Sequence, residues 1–387
     1  MIEVPPGVRI PAWVRAASEG DRIDPVAFGA TLGTLHRLPK VELHLHLEGS
    51  LRPETVRELA SRYEPDSPLG RPGWQDGYWS FSDLAGFVVE LGRVIRACAR
   101  APEDYYQIAH DCFEDLAAQK VRYAEVSFSP RTDGRPFYVP FEDTLVAIDK
   151  ARRDVEGRTD LRVGLLVSLG RHHAAQDGEG AEAHALALVE RTIRGRDGGA
   201  AVVGIDLHGD EQAYPRVAPF VRAFSAAKEA GLGLRAHAGE GTGAATVWDT
   251  IRQLGVQRLG HGVRAIEVPA LVRHLAGARI ALDLCPTSNV RTGIAASIEE
   301  HPIRALHEAG VILTIGSDDP GVFDSTITTE LALLHHRLGF TFAELGQLTT
   351  QAAAHSFLPE PERDALVAAI AAAWAAGDDA TVDRHRP

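Results

Sequence analysis

Two imidazoles two residues apart mark the stretch of this chain best suited to hold a metal: Val41-Glu42-Leu43-His44-Leu45-His46-Leu47-Glu48-Gly49. Polar and apolar residues alternate there, which is the period of a strand, so His44 and His46 project to the same side. Two nitrogen lone pairs aimed at one point can chelate a divalent cation. Further polar groups stand in His237-Ala238-Gly239-Glu240, Gly260-His261-Gly262, Asp206-Leu207-His208-Gly209-Asp210-Glu211 and Ser317-Asp318-Asp319-Pro320. Each is weak alone, since a single histidine at a strand end is more often a hydrogen-bonded structural residue than a ligand. Brought together, so many ionisable groups cost too much to bury unless a metal or a reaction requires them.

Such distant residues need a scaffold that gathers them. With the opening strand, apolar runs at Val121–Phe128, Leu161–Leu169, Val202–Leu207, Leu232–Ala236, Gln257–Gly260, Arg279–Leu284 and Val311–Ile315 make eight strands. Helical stretches separate them, among them Glu142–Val155, Glu182–Arg194, Val217–Ala230, Ala245–Leu254, Val268–Leu275 and Pro302–Ala309. This alternation predicts an α/β fold with a parallel sheet buried on both faces, and eight units suit a closed (β/α)8 TIM-type barrel. No glycine-rich phosphate loop follows an early strand, which argues against a doubly wound nucleotide fold.

Extra helices after strand 1, Phe81–Ala99 and Pro102–Gln119, form an excursion of the kind that covers a site, preceded by a helix with Ser50 as its cap and Pro53 in its first turn. Phe342 to Trp374 is helical again. Residues 1–36 read as an extension with no assigned chemistry, 37–375 as a single barrel domain and 376–387 as a tail. Barrel active sites lie at the C-terminal ends of the strands, where the polar motifs fall.

A net charge of -13 argues against nucleic-acid and membrane-surface partners, both of which need a positive field, and favours a small neutral or cationic molecule. Three cysteines, Cys98, Cys112 and Cys285, imply no disulfide framework and fit a reducing cytoplasm; Cys98 and Cys112 read as core fillers in helices. The N-terminal stretch has no apolar run of signal-peptide type, and no segment approaches the roughly 20 apolar residues of a membrane helix.

On a barrel, His44 and His46 from strand one, His237 from strand five and Asp318 from strand eight can converge on one cation. Three nitrogens and a carboxylate, with a position left for water, describe a catalytic site for one Zn2+ per chain rather than a closed structural one. Zinc would lower the pKa of its water and make hydroxide available. His261 could orient or deprotonate that water with help from Asp318, and Glu240 could hand a proton to the substrate. Asp319 and the backbone around Gly209 are left to hydrogen-bond a heterocycle.

Together with Ala124-Glu125-Val126-Ser127-Phe128-Ser129-Pro130 and the tail Ala354-His355-Ser356-Phe357-Leu358-Pro359-Glu360, these blocks resemble, in order, the signatures of the adenosine deaminase family from about Leu38 to Trp374. The resemblance implies a zinc-dependent aminohydrolase that converts a 6-aminopurine to the 6-oxo product and ammonia by hydroxide attack at C6. It places the zinc ligands on His44, His46, His237 and Asp318, the proton donor to N1 on Glu240 and the water-orienting histidine on His261. The N7 contact falls on Asp319 and the N3 amide on Gly209, with His46 and Glu48 among the substrate contacts.

Two positions depart from the family pattern. Nucleoside-specific members usually carry Asp where this chain has Glu48, and His208 stands where Ala is common. Against that, the Asp206–Glu211 block and Cys285-Pro286-Thr287-Ser288-Asn289 look like the nucleoside branch. The expected substrate is adenosine or 2′-deoxyadenosine, with adenine or a modified adenine nucleoside as the alternative.

A related two-metal hydrolase would need a carboxylated lysine at a strand end, whereas Lys40, Lys120, Lys150 and Lys228 sit before or between strands. A non-catalytic nucleoside binder would be marked by loss of Glu240 or a ligand, and none is lost. The cytidine deaminase class uses a cysteine-rich zinc site, while Cys285 is the one cysteine near a strand end.

Overall fold

The computed structural model describes residues 2, 4–11, 14, 23–75, 79, 81–130, 139–175 and 178–382. Parts of the expected N-terminal extension (1, 3, 12–13 and 15–22) and the end of the expected tail (383–387) lie outside the described residues. Eight parallel strands follow one another in chain order around one sheet. They are β1 Lys40–His46, β2 Val121–Phe128, β3 Arg162–Gly170, β4 Val202–His208, β5 Gly233–Ala238, β6 Arg258–His261, β7 Ala281–Leu284 and β8 Leu313–Ile315. All eight expected strands are present.

The sheet closes where β1 meets the residues after β8. Leu45 forms a parallel bridge with Asp318, the Asp318 amide donates to the His44 carbonyl at 3.0 Å, and the His46 amide donates to the Asp318 carbonyl at 2.8 Å. Strands β1, β5, β6, β7 and β8 are buried along their whole length, as expected of strands packed between an inner core and an outer ring of helices.

Part of the inner core is charged. Arg258 donates to Glu125 (2.5 Å) and Asp283 (3.1 Å), while Arg235 donates to the Leu43 carbonyl (2.6 Å), Ser127 Oγ (2.7 Å) and Asp206 (3.0 Å). Buried ions persist only when their hydrogen bonds are met by good geometry, and these guanidinium groups tie six strands together.

The expected helix Pro102–Gln119 is found as Pro102–Ala118, and Phe81–Ala99 as Leu84–Cys98, started by Asp83, whose Oδ1 accepts the Gly86 amide at 2.8 Å. Three details differ from the sequence reading. Ser50 does not cap a helix: a 3-10 turn, Glu48–Ser50, intervenes, Ser50 Oγ donates to the His46 carbonyl, and Pro53 itself opens helix Pro53–Tyr63. Val217–Ala230 divides into a 3-10 turn, Ala218–Phe220, and helix Val221–Glu229. Phe342–Trp374 divides into Phe342–Ala354, with a Thr341–Glu344 capping box, and Glu360–Val382.

Helix Ile327–Leu338 escaped the sequence reading because every residue from Ile327 to Leu334 is buried, which removes the polar face that periodicity relies on. In the N-terminal extension, helix Pro25–Arg37 is capped by Asp24, and Val8, Ile10 and Val14 are buried. Arg9 donates to the Pro320 carbonyl (3.2 Å), and its amide donates to Thr326 Oγ1 (3.4 Å). Cys98, Cys112 and Cys285 are free and buried, and burial pushes the Cys98 and Cys112 thiols up to about 12, as suits core fillers. Among the described residues no helix is long and apolar enough to cross a membrane.

Candidate active site

The barrel brings His44, His46, His237 and Asp318 into one cluster, with one ligand atom from each lying within 4.8 Å of the others. His44 Nε2 is 3.0 Å and His46 Nε2 3.2 Å from His237 Nε2, and the two are 3.3 and 3.4 Å from Asp318 Oδ1. The second nitrogens fix the tautomers. His44 Nδ1 lies 2.8 Å from the Asp283 carbonyl and His237 Nδ1 lies 3.2 Å from Asp206 Oδ1, both acceptors, so each Nδ1 carries the hydrogen. The Nε2 lone pairs therefore face one another and a carboxylate, an arrangement that repels itself unless a cation stands between them. Burial lowers the pKa of His46 and of His237, leaving neutral rings suited to metal binding. Three nitrogens and one carboxylate fit a single divalent ion of the zinc type.

Beside this cluster, His261 Nε2 lies 3.4 Å from Glu240 Oε1 and 3.8 Å from Asp318 Oδ2. His261 and Asp318 hold φ of +60° and +63°, a left-handed backbone that costs a non-glycine residue roughly 1 kcal/mol or more and gathers at functional sites. Burial, then the charges of Asp318 and Glu211, raise the pKa of Glu240 well above the usual carboxylate range, which favours its protonated form. Asp319 is raised in the same way, by burial and then by Asp318 and Glu48. Its Oδ1 is buried without a hydrogen-bond partner among the described residues.

Asp319 can lie where it does because residue 49 is glycine: a Cβ there would sit 1.7 Å from its Oδ1. Gly209 has φ +109° and lines the same cavity, its lack of a side chain allowing that conformation.

His46, His237, Glu240, His261 and the Asp318–Asp319 pair open with Gly209 on one cavity of about 490 Å³, while His44 is fully buried. One wall is an apolar helix face of Leu84, Phe87, Val88, Leu91 and Ile95, from the excursion expected to cover the site. The opposite wall is polar. Glu48 accepts the Ser129 amide at 2.7 Å, Ser129 Oγ lies 2.8 Å from His208 Nε2, and the His208 ring stacks on His46 at 5.6 Å. Burial lowers the pKa of His208 to about 4, so it is neutral.

The sequence reading assigned no role to several supporting residues. Asp206 orients His237 and is itself held by Arg235. Glu211 accepts four successive backbone amides, those of Gly239 (2.8 Å), Glu240 (3.1 Å), Gly241 (3.1 Å) and Thr242 (3.2 Å), and so fixes the turn that carries Glu240. Asp206 and Glu211 were visible as acids at a strand end. The Asp283 carbonyl that orients His44 leaves no sequence signal at all.

Known proteins resemble this chain in sequence and fold. The family model described as Adenosine deaminase matches residues 39–373. An adenosine deaminase of Shewanella loihica is 34% identical over 343 residues, covering 86% of this chain and 98% of that protein. An adenine deaminase of Rhizobium leguminosarum bv. trifolii is 34% identical over 337 residues, covering 87% and 100%. An aminodeoxyfutalosine deaminase of Streptomyces avermitilis is 34% identical over 342 residues, covering 88% and 93%. Among solved structures, a cog1816 amidohydrolase from Burkholderia ambifaria with bound Zn superposes with a TM-score of 0.83 at 26% identity, covering 98% of this chain and 100% of that one. On the match across its barrel and the relatives that span it, this chain belongs to the adenosine deaminase family.

Proposed function

We propose that this protein deaminates adenosine or 2′-deoxyadenosine by hydrolysis, giving inosine or 2′-deoxyinosine and ammonia. The observation that carries the reading is a match of donors to acceptors. A 6-aminopurine offers lone pairs at N1, N3 and N7, and the cavity is lined by Gly209 and by Glu240 and Asp319, two carboxyls whose raised pKa values favour the proton-donating form. At the coarser level, the chain is a metal-dependent deaminase of adenine- or adenosine-type substrates.

His44, His46, His237 and Asp318 would hold one zinc ion, which supplies an acidified water when bound. Glu240 donates its proton to N1, drawing electrons from C6 and opening it to attack. His261 orients the attacking water toward C6, and the Asp318 carboxylate beside it accepts the proton the water gives up. That proton leaves with the amino group as ammonia, and the C6 hydroxyl returns the water's second proton to Glu240 as it becomes the carbonyl of the product. Asp319 and Gly209 hold the ring in place by N7 and N3. Beyond the purine, Glu48, Ser129 and His208 offer hydrogen bonds suited to sugar hydroxyls.

One feature favours the alternative, a modified adenine nucleoside: the apolar wall from Leu84 to Ile95 offers the sugar nothing and would suit an apolar substituent. The Streptomyces relative named for aminodeoxyfutalosine supports it too, as the Rhizobium relative supports adenine.

The test is the ultraviolet change on deamination with zinc-loaded protein, run side by side on adenosine, 2′-deoxyadenosine, adenine and modified adenine nucleosides. Turnover fastest on adenosine or deoxyadenosine, and a Glu240→Gln variant about 10²- to 10⁴-fold slower with zinc retained, is the expected result. No turnover of any of them by the zinc-loaded protein overturns the reading.

A further inference from the structure

The backbone amide of Ile303 anchors a hydrogen-bond relay that ends at His261. That N–H can only donate, and it meets His301 Nδ1 at 3.2 Å. Burial holds the His301 pKa down to about 4, so the ring is neutral and its single proton sits on Nε2. Nε2 lies 3.1 Å from Asn289 Oδ1, which accepts. The Asn289 amide is thereby oriented, and its Nδ2, a donor only, faces His261 Nδ1 at 3.2 Å.

We propose that Asn289, oriented by His301, is a positioning residue that keeps His261 in the Nε2–H tautomer, so that His261 donates a hydrogen bond to the reacting water and does not act as its base. With Nδ1 engaged by Asn289 and Nε2 already protonated, the imidazole has no free lone pair to take the water's proton. His261 Nε2–H is directed into the space shared by Glu240 Oε1 and Asp318 Oδ2. The functional half of this proposal rests on His261 standing beside the reacting water; the tautomer itself does not.

The tautomer can be read from zinc-loaded protein labelled with 15N-histidine, the His261 signals being those lost in His261→Gln. Nδ1 at a lone-pair shift and Nε2 at an N–H shift are expected; a proton on Nδ1 in the wild type overturns the proposal. In Asn289→Asp the carboxylate can only accept, so the proton should appear on Nδ1 and kcat should fall about 10- to 100-fold with zinc content unchanged. A moved proton with unchanged kcat overturns the functional half.

His301→Phe frees the amide and should cost about tenfold in kcat, while His301→Gln, which can still accept from Ile303 and donate to Asn289, should restore most of it. Equal kcat in these two variants removes His301 from the relay. If Asn289→Asp fails to fold, the wild-type spectrum and the His301 pair decide the matter. Turnover and Glu240→Gln judge the deaminase reading separately, since neither bears on the His261 spectrum.

Discussion

Asp318 donates its backbone amide to the carbonyl of His44 at 3.0 Å, so the last candidate ligand is bonded to the first through the main chain as well as through any shared cation. The His46 amide returns a bond to the Asp318 carbonyl. Barrel closure and metal cluster therefore occupy the same few residues.

Metal removal should accordingly lower stability as well as activity. At free metal about a thousandfold above its dissociation constant, binding contributes roughly 4 kcal/mol. Calorimetry with and without a strong chelator should show a lower Tm for the stripped protein, reversed by zinc. An unchanged Tm would separate the seam from the cation.

Asp206→Asn should weaken metal binding about 10- to 100-fold, because a carboxylate that serves two donors, Arg235 and the His237 Nδ1–H, becomes an uncharged amide with a single accepting oxygen. Chelator competition measures this directly. Arg235 loses the nearer of its two carboxylate partners in the same variant, Asp206 at 3.0 Å and not Asp283 at 3.8 Å, at a cost of about 3 kcal/mol in urea unfolding. Wild-type metal affinity would show that Asp206 serves only the guanidinium.

Gly49→Ala is the smallest change that reaches the proposed purine contact Asp319 without touching a candidate ligand. Its methyl would fall on Asp319 Oδ1, so the carboxyl must swing away. The expected result is a loss in kcat/KM of about 2 kcal/mol, carried largely by KM, with zinc content normal. Steady-state kinetics on the fastest substrate checks it.

Glu330→Gln should flatten the dependence of stability on pH. Burial raises the Glu330 pKa to about 7, its Oε2 accepts the Thr287 amide, and its Oε1 is buried without a partner among the described residues. The folded state thus keeps a proton that the unfolded chain releases near the ordinary carboxyl value. Its contribution is full below that value and is lost as pH rises through about 7. Between pH 5 and pH 8 the wild type should lose on the order of 2 kcal/mol to this group, and the variant should not. Urea titrations at the two pH values decide; parallel slopes would mean that Glu330 is ionised throughout.

The strand ends were legible because a barrel converts chain order into position. His44-x-His46, His237, His261 and Asp318 could be recognised as a set once eight strands were counted, and the structure gathers them. What sequence could not show is where each second nitrogen points. His44 is oriented by a carbonyl, which every residue possesses, and His261 by an amide whose own partner lies twelve positions along the chain, at His301. The buried Arg235 was equally silent, since its partners Leu43, Ser127 and Asp206 come from three other strands. The misplaced cap at Ser50 has a local cause: the hydroxyl had a nearer acceptor in the His46 carbonyl.

The docking of the first residues bears on how this protein is handled. Val8 and Ile10 are interior, and Arg9 grips Pro320 and Thr326 just downstream of the paired aspartates. A recombinant fragment trimmed to begin at residue 39, where the match to the family begins, would leave a greasy scar behind that loop. Boundaries copied from that match would saw off a buttress that the floor of the candidate site leans on.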